Sequence, residues 1–568
     1  MLRIRYFAVV RKSASTASAR APSPEFFLLL SQVVEATSEV LDTPQDGAME
    51  LIGLPDWLLL AATAVILLYL YVGRHRNYWK TQNIPQEDFS LIIGPAMRLL
   101  LRPFHENDTM RYQKYGRVFG IYEGSQPTLL VGEPELVKQV LVKDFPLLCN
   151  RRQLKFFDPL LDNMMSIAPV ERWRKIRPSA SPAFTTGKLR RMNEMIQACA
   201  EISSEHLKKA AEQKEDICIK QFYSYYALDV IARCAFGTKL DSHSDVTNEF
   251  VTKARKAFSG GITLPLVMFF LLPGLMKALK IKPLNSDAFE YFKDVSVNII
   301  KNRKQKQCRQ EDFLQLMMDA REGALQESAE SNTTKESSEI FNLDSEIKND
   351  IACVSKALSE DEALAQCVLF FLAGQDTTSS VIAFAIYSLA LNPEVQDKLR
   401  KEADECFATH GKEPSLDAIS KLPYLHCVVS ETLRMYPPAP RLERSALEDY
   451  ILGDTGVRVP KGCVVGVPVY AMHYDPEFFP NPEKFDPDRF SEENVGSIRP
   501  YTYLPFGAGP RNCIGMRFAL QAVKLSLLHS VHSVQFVPTE KTDVPLKFAI
   551  GLGILNTKNI IVGVRERP

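Results

Sequence analysis

From Trp57 to Val72 the chain reads WLLLAATAVILLYLYV, an uncharged apolar run without a polar face. Extended back to Leu54 it approaches the ~20 residues that cross a bilayer as a helix. A buried helix of a water-soluble domain rarely lacks a polar stripe for this length. The run therefore predicts a transmembrane anchor over 54–73. Arg74, Arg76 and Lys80 follow it, and Glu50 and Asp56 precede it. That asymmetry places the long C-terminal part in the cytosol.

Beyond the anchor the period changes. Proline and glycine in NIPQ and IIGPAM mark a linker, taken as 74–90. VFGIYEGSQPTLLVG alternates apolar and polar positions about a turn, which predicts two strands. From Pro134 to about residue 320 the pattern is mostly helical. Within it PLVMFFLLPGL, 265–275, is too short and proline-broken for a second span, and fits either core or a surface dipping into the bilayer. Residues 322–350 are polar and acidic, and read as a long loop. A long helix is predicted from Ser359 to Leu391, with Glu360 and Asp361 at its positive end and Asn392-Pro393 at its stop. A second runs from Tyr424 to Met435, before Pro437-Pro438. Short strands follow, VVGVPVYAM among them. The pattern predicts one mainly α domain with small β-sheets over 91–568.

Residues 1–53 form an N-terminal extension of uncertain role. Its first 21 residues carry five basic side chains, several serines and no acid, the composition of a transit peptide. Met49, directly before the anchor, would also make a natural start. An anchor followed by basic residues points to the endoplasmic reticulum, with the mitochondrion as the alternative.

Charge narrows the function classes. Lysine plus arginine equals aspartate plus glutamate at 68 each, so the basic excess of a nucleic-acid binder is missing. The 11 cysteines show no paired framework, and ten of them read as ordinary thiols in a reducing compartment. Cys513 differs. It sits in LPFGAGPRNCIGMRFAL, where Gly509 and Gly515 let a flat ligand approach the backbone and Arg511 suits a carboxylate. A helix starting near Cys513 would favour its thiolate. One thiolate without neighbouring metal-binding side chains fits a metal whose other ligands come from a cofactor, and haem is the obvious candidate.

The spacing Phe506, Gly509, Arg511, Cys513, Gly515 resembles the signature of the cytochromes P450, the haem-thiolate monooxygenases. Further motifs stand in that family's order: WRKIR, AGQDTT, ETLR, APRLER and PDRF. The likeness covers roughly 80–565. It is nearest the animal microsomal group that oxidises drugs and steroids, and thromboxane synthase. The resemblance implies a P450 fold behind a single anchor and haem b with Cys513 as axial iron ligand, which favours O–O cleavage as in this haem class generally. Trp173, Arg177, Arg444, Arg511 and Arg151 would hold the propionates, with Phe506 beside the ring. Asp376 and Thr377 would deliver protons to bound oxygen. Glu431, Arg434 and Arg489 would lock the cysteine loop. Ser166, Phe370, Ala373, Pro440, Arg441 and the turn near Leu552 would wall the substrate pocket, with Arg441 either meeting substrate or serving structure.

The implied reaction inserts one atom of O2 into a lipophilic small molecule. No dinucleotide-binding fingerprint is present, so electrons come from a partner. The family implies NADPH-cytochrome P450 reductase, with cytochrome b5 as a further donor. Two other functions stay open: an isomerase acting on a peroxide, as thromboxane synthase does, and a non-catalytic haem protein. Thromboxane synthase departs from the acid–threonine pattern, which Asp376-Thr377 keeps.

Overall fold

The computed structural model describes residues 63, 75–87, 102–123, 126–258, 263–271, 276, 279, 281–282, 287–307, 309–310, 312–322, 357–551, 553–557 and 559–567. The expected anchor, apart from Thr63, and the acidic loop lie outside them. The chain divides into two compact units. The first comprises residues 1–98 with 119–128, and the second residues 99–118 with 129–568.

In the first unit Trp79 is fully buried against Gly120. A Cβ at that glycine would lie 2.1 Å from the indole, so no larger residue fits. Gly120 N donates to Pro85 O at 2.8 Å, and Tyr122 Oη donates to Gln86 Oε1 at 3.0 Å.

The helices of the second unit that matter here are α1 (Phe104–Tyr115), α2 (Val170–Ala180), α3 (Thr186–Glu212), α4 (Ile219–Phe236), α5 (Asp287–Lys306), α6 (Phe313–Arg321), α7 (Glu360–Leu391), α8 (Pro393–His410), α9 (Pro423–Met435), α10 (Val469–His473) and α11 (Met516–Ser533). Of the small strands, β1 (Leu442–Ser445) and β2 (Val464–Val467) pair antiparallel, Arg444 opposite Val465. A separate three-stranded sheet is closed by Ile561–Arg565 at its centre.

The long helix starts and stops as its sequence dictates. Ser359 accepts the N–H of Glu362, and the Glu362 carboxylate accepts the N–H of Ser359, a reciprocal cap that satisfies two end groups. Asn392 ends it, and Pro393 then opens α8, where a missing N–H costs nothing. Among the described residues α7 is the helix long and apolar enough to cross a membrane, but it is a core helix, mostly buried in the protein. It lies along α4, and α11 lies along α3. Phe371 packs on Phe292 at 4.0 Å between ring centroids and on Phe250 at 5.3 Å. Full burial of one such ring contributes roughly 1.5–3 kcal/mol.

One expected strand is shorter than its pattern suggests. VVGVPVYAM pairs only over Val464–Val467; Pro468 has no N–H to extend the ladder, and Val469–His473 turns into a helix. In the apolar 265–275 run, Leu264–Leu271 is helical and Phe269 is buried, its ring stacked on Phe156 at 5.5 Å.

Candidate functional site

The loop around Cys513 is a tight backbone structure. Gly507 and Gly509 have φ of 73° and 74°, where an L side chain is strained. A Cβ on Gly509 would also sit 2.0 Å from the carbonyl oxygen of Leu141. Cys513 N donates to Phe506 O at 2.9 Å, and Asn512 N to Gly509 O at 2.9 Å. These bonds fold the loop back on itself with the sulfur at its tip. Helix α11 begins only at Met516, later than expected. Cys513 is accessible to solvent by area. Protein nevertheless surrounds it, and that burial raises its thiol pKa despite the Gly515 N–H and the charges of Arg177 and Arg151. The two observations agree if the sulfur faces an internal space. Burial thus works against the bias toward thiolate expected from a helix start.

A buried network fixes this loop from behind. Arg434 donates Nε to Glu431 Oε2 at 2.7 Å and Nη2 to Glu431 Oε1 at 2.9 Å, both side chains being 0% exposed. Arg434 Nη1 also donates to His473 O, and Nη2 to Pro482 O, both at 2.8 Å. His473 pairs Nδ1 with Arg434 O and accepts the N–H of Leu504 on Nε2 at 3.0 Å. Leu504 opens the cysteine loop. Burial holds His473 down to about 3, so the ring is neutral and one nitrogen is free to accept. Arg489 completes the expected triad at 3.4 Å from Glu431. Tyr503 Oη donates to Ser430 O at 2.8 Å.

Beside the loop lie four arginines that pair with no acid among the described residues. Ser445 N donates to Asn150 O at 2.7 Å, which brings Arg151 alongside Arg444. Arg151 donates to Ser166 O and Arg511 O; Arg177 to Asn512 O and Oδ1. Arg511 donates to Met165 O and Ala168 O; Arg444 to Glu443 O and Ala508 O. The Nε atoms of Arg444 and Arg511 are buried without a partner. Burial first, and then Arg151 beside them, push Arg444 and Arg511 down to about 9. Arg177 falls to about 10 from burial, partly offset by Cys513. A guanidinium keeps its proton at neutral pH, so such crowding marks a site short of anions. Trp173 is buried, with the Arg511 guanidinium 4.6 Å above its ring. A dianionic, carboxylate-bearing group fits this donor set.

One face of α7 looks into the same region. Ala373 is exposed although its helix is buried almost throughout. Thr377 donates Oγ1–H to Ala373 O at 2.6 Å and lines a small open-sided recess. Phe506, Val381, Leu433, Pro438 and Leu520 share that recess, so it joins α7, α9, α11 and the cysteine loop. Asp376, next in sequence, points elsewhere. It pairs with Lys220 of α4 at 2.7 Å, and that ammonium also reaches the hydroxyls of Ser379 and Ser380. The acid and the threonine therefore face different surroundings. Phe370 packs on Phe313 and Phe184 at 3.9 and 5.4 Å.

Arg441, left between substrate and structure by its sequence, is structural. It makes a bidentate pair with Asp108 of α1 at 2.7 and 2.6 Å, its side chain 1% exposed. Asp108→Asn is expected to cost on the order of 3 kcal/mol, the lower range for breaking a buried pair, since Arg441 keeps a contact to Glu443 at 3.4 Å. Denaturant unfolding measures it; KM should stay unchanged, whereas an Arg441 in contact with substrate would shift KM. Asp108, Lys220 and His473 carry no local sequence signal. Their partners are distant in the chain, and only folding brings them together.

The family model described as Cytochrome P450 matches residues 85–563. Cytochrome P450 3A41 of Mus musculus is 37% identical over 520 residues, covering 90% of this chain and 96% of the relative. Cytochrome P450 3A7 of Homo sapiens is 37% identical over 519 residues, with the same coverage. Cytochrome P450 3A5 of Homo sapiens is 36% identical over 520 residues, again 90% and 96%. The family model spans both the Cys513 loop and the arginine cluster and most of the chain, and the chain belongs to the cytochrome P450 family of haem-binding monooxygenases.

Proposed function

We propose that this monooxygenase oxidises lipophilic small molecules, xenobiotic, steroid or fatty-acid-like, at a haem held by Cys513. The observation that carries the site is the set of four acid-free arginines beside Cys513 at the tip of its glycine loop. Cys513 would be the axial ligand, and Arg151, Arg177, Arg444 and Arg511 would meet the propionates, with Trp173 supporting Arg511 and Phe506 beside the ring. When bound, the haem supplies the redox chemistry that places one atom of O2 in the substrate and releases the other as water. The apolar lining of the recess favours a substrate with little charge.

Thr377 holds its hydroxyl at the recess wall and is suited to hold a proton there. Asp376 would act with it in proton delivery, its carboxylate paired with Lys220 on the α4 side. This pair favours monooxygenation over isomerisation of a peroxide. Electrons would come from NADPH-cytochrome P450 reductase, with cytochrome b5 as a second donor. The basic residues after 54–73 support an endoplasmic reticulum anchor with the catalytic part in the cytosol.

The test is O2 consumption with a lipophilic panel, dependent on NADPH and reductase, with oxygenated product measured by mass. Turnover of a peroxide substrate without NADPH would overturn the proposal. Thr377→Val, nearly isosteric, is expected to keep haem and lower product formation about a hundredfold, the lower end of the range for losing a proton-transfer group. An unchanged ratio of product to O2 consumed would remove Thr377 from proton handling.

A further inference from the structure

The segment 163–168, between Asp162 and α2, has no regular structure, yet side chains from two sides bond its backbone. Gln366 of α7, 0% exposed, holds one end. Its Oε1 accepts Met165 N at 2.9 Å, and its Nε2 donates to Asn163 O at 2.9 Å and Glu362 O at 2.7 Å. The other end is held by the site arginines. Arg511 donates to Met165 O at 3.5 Å and Ala168 O at 3.0 Å, and Arg151 donates to Ser166 O at 3.3 Å. Val170 N then donates to Asn150 Oδ1 at 2.8 Å.

We infer that Gln366 is a positioning residue for haem retention: it fixes the 163–168 strap, and the strap's carbonyls fix the aim of Arg151 and Arg511. This rests on the reading of those arginines as propionate partners. The geometry of α7 supports it. Residues 362, 366, 370, 373 and 377 fall on one helical stripe. Along that stripe Glu362 pairs with Lys175 of α2, Gln366 holds the strap, and Phe370 packs on Phe184 just beyond α2. Ala373 is then exposed, and Thr377 lines the recess. One face of one helix thus sets both the arginine side and the reaction side. No charged group of the strap contributes to the aim. It works through three carbonyls whose positions depend on a neutral amide two turns away from Ala373. Outer partners of this kind change retention of a bound metal group on the order of tenfold or more when removed.

The experiment compares holoenzyme variants by their rate of haem transfer to excess apomyoglobin. Gln366→Leu keeps the volume and removes all three bonds, and is expected to speed haem loss on the order of tenfold. Gln366→Glu keeps acceptance from Met165 N but loses donation to Asn163 O, and should fall between. It also serves if the leucine variant fails to fold. The control is Gln396→Leu, which removes an equally buried glutamine bonded to Leu389 O and to Phe536 O and N, far from the arginines in the contacts it makes. Its haem loss should stay within about twofold of the parent. In a cycle with Arg511→Leu, the Gln366 effect should shrink, because the same aim is lost only once. Equal acceleration by the two glutamine variants, or strictly additive effects in the cycle, overturns the inference. If Arg511→Leu retains haem like the parent, the propionate reading fails, and this inference fails with it.

Discussion

Cys513→Ala will lose the thiolate-type Soret band of the reduced, carbon monoxide-bound protein, and monooxygenase activity will fall by more than about a hundredfold. Loss of an axial ligand should exceed the 10–100-fold typical of outer partners. Both effects follow from position. The sulfur is the tip of a loop whose backbone bonds, Cys513 N to Phe506 O and Asn512 N to Gly509 O, do not involve the side chain. Alanine leaves those bonds in place, so the loop survives and the spectrum isolates the sulfur. Burial raises the thiol, and binding as an iron ligand would require it to lose its proton. Haem uptake should accordingly release protons, and pH-stat titration of the parent against Cys513→Ala reads the difference. A variant with an unchanged reduced spectrum would move the ligand elsewhere.

Glu431→Ala is expected to cost about 3–5 kcal/mol in denaturant unfolding and to leave almost no holoprotein, since it abandons Arg434 as a buried, uncompensated charge. The sharper test is the double variant Glu431→Leu with Arg434→Met. For many buried ion pairs an apolar replacement restores stability. Here it should not. Arg434 also satisfies the carbonyls of His473 and Pro482, and Glu431 accepts the N–H of Asp486 at 3.0 Å. Apolar residues would leave those backbone groups buried without partners, at about 1–3 kcal/mol each. A double variant as stable as the parent would show that the pair serves only itself.

Much of this was legible in the sequence for a physical reason. Ser359 and Glu362 form a local cap, so the start of α7 is written in four residues. Gly509 and Cys513 share one short loop, so their spacing carries the site. The Glu431–Arg434 pair is three residues apart on one helix and was readable, while its further partners were not. Asp108 meets Arg441 across 333 positions, and His473 meets Leu504 across 31. No window of sequence contains such pairs. Asp376 shows the converse limit. Adjacent positions on a helix point about 100° apart, so adjacency to Thr377 gave no sign that Asp376 pairs with Lys220.

The cap of α7 also acts as an index. Glu362 closes the cap at Ser359 and pairs with Lys175 on α2 at 2.7 Å, so the helix is clamped in rotation at its first turn. Everything downstream inherits that angle. One residue inserted between Gln366 and Ala373 would leave cap, strap and fold contacts of the first two turns intact. It would swing Thr377 by about 100° away from the recess and advance it about 1.5 Å. The enzyme's chemistry is thus keyed to a count of residues from the cap, and the ten between Glu362 and Ala373 cannot change in number without retiming the whole face.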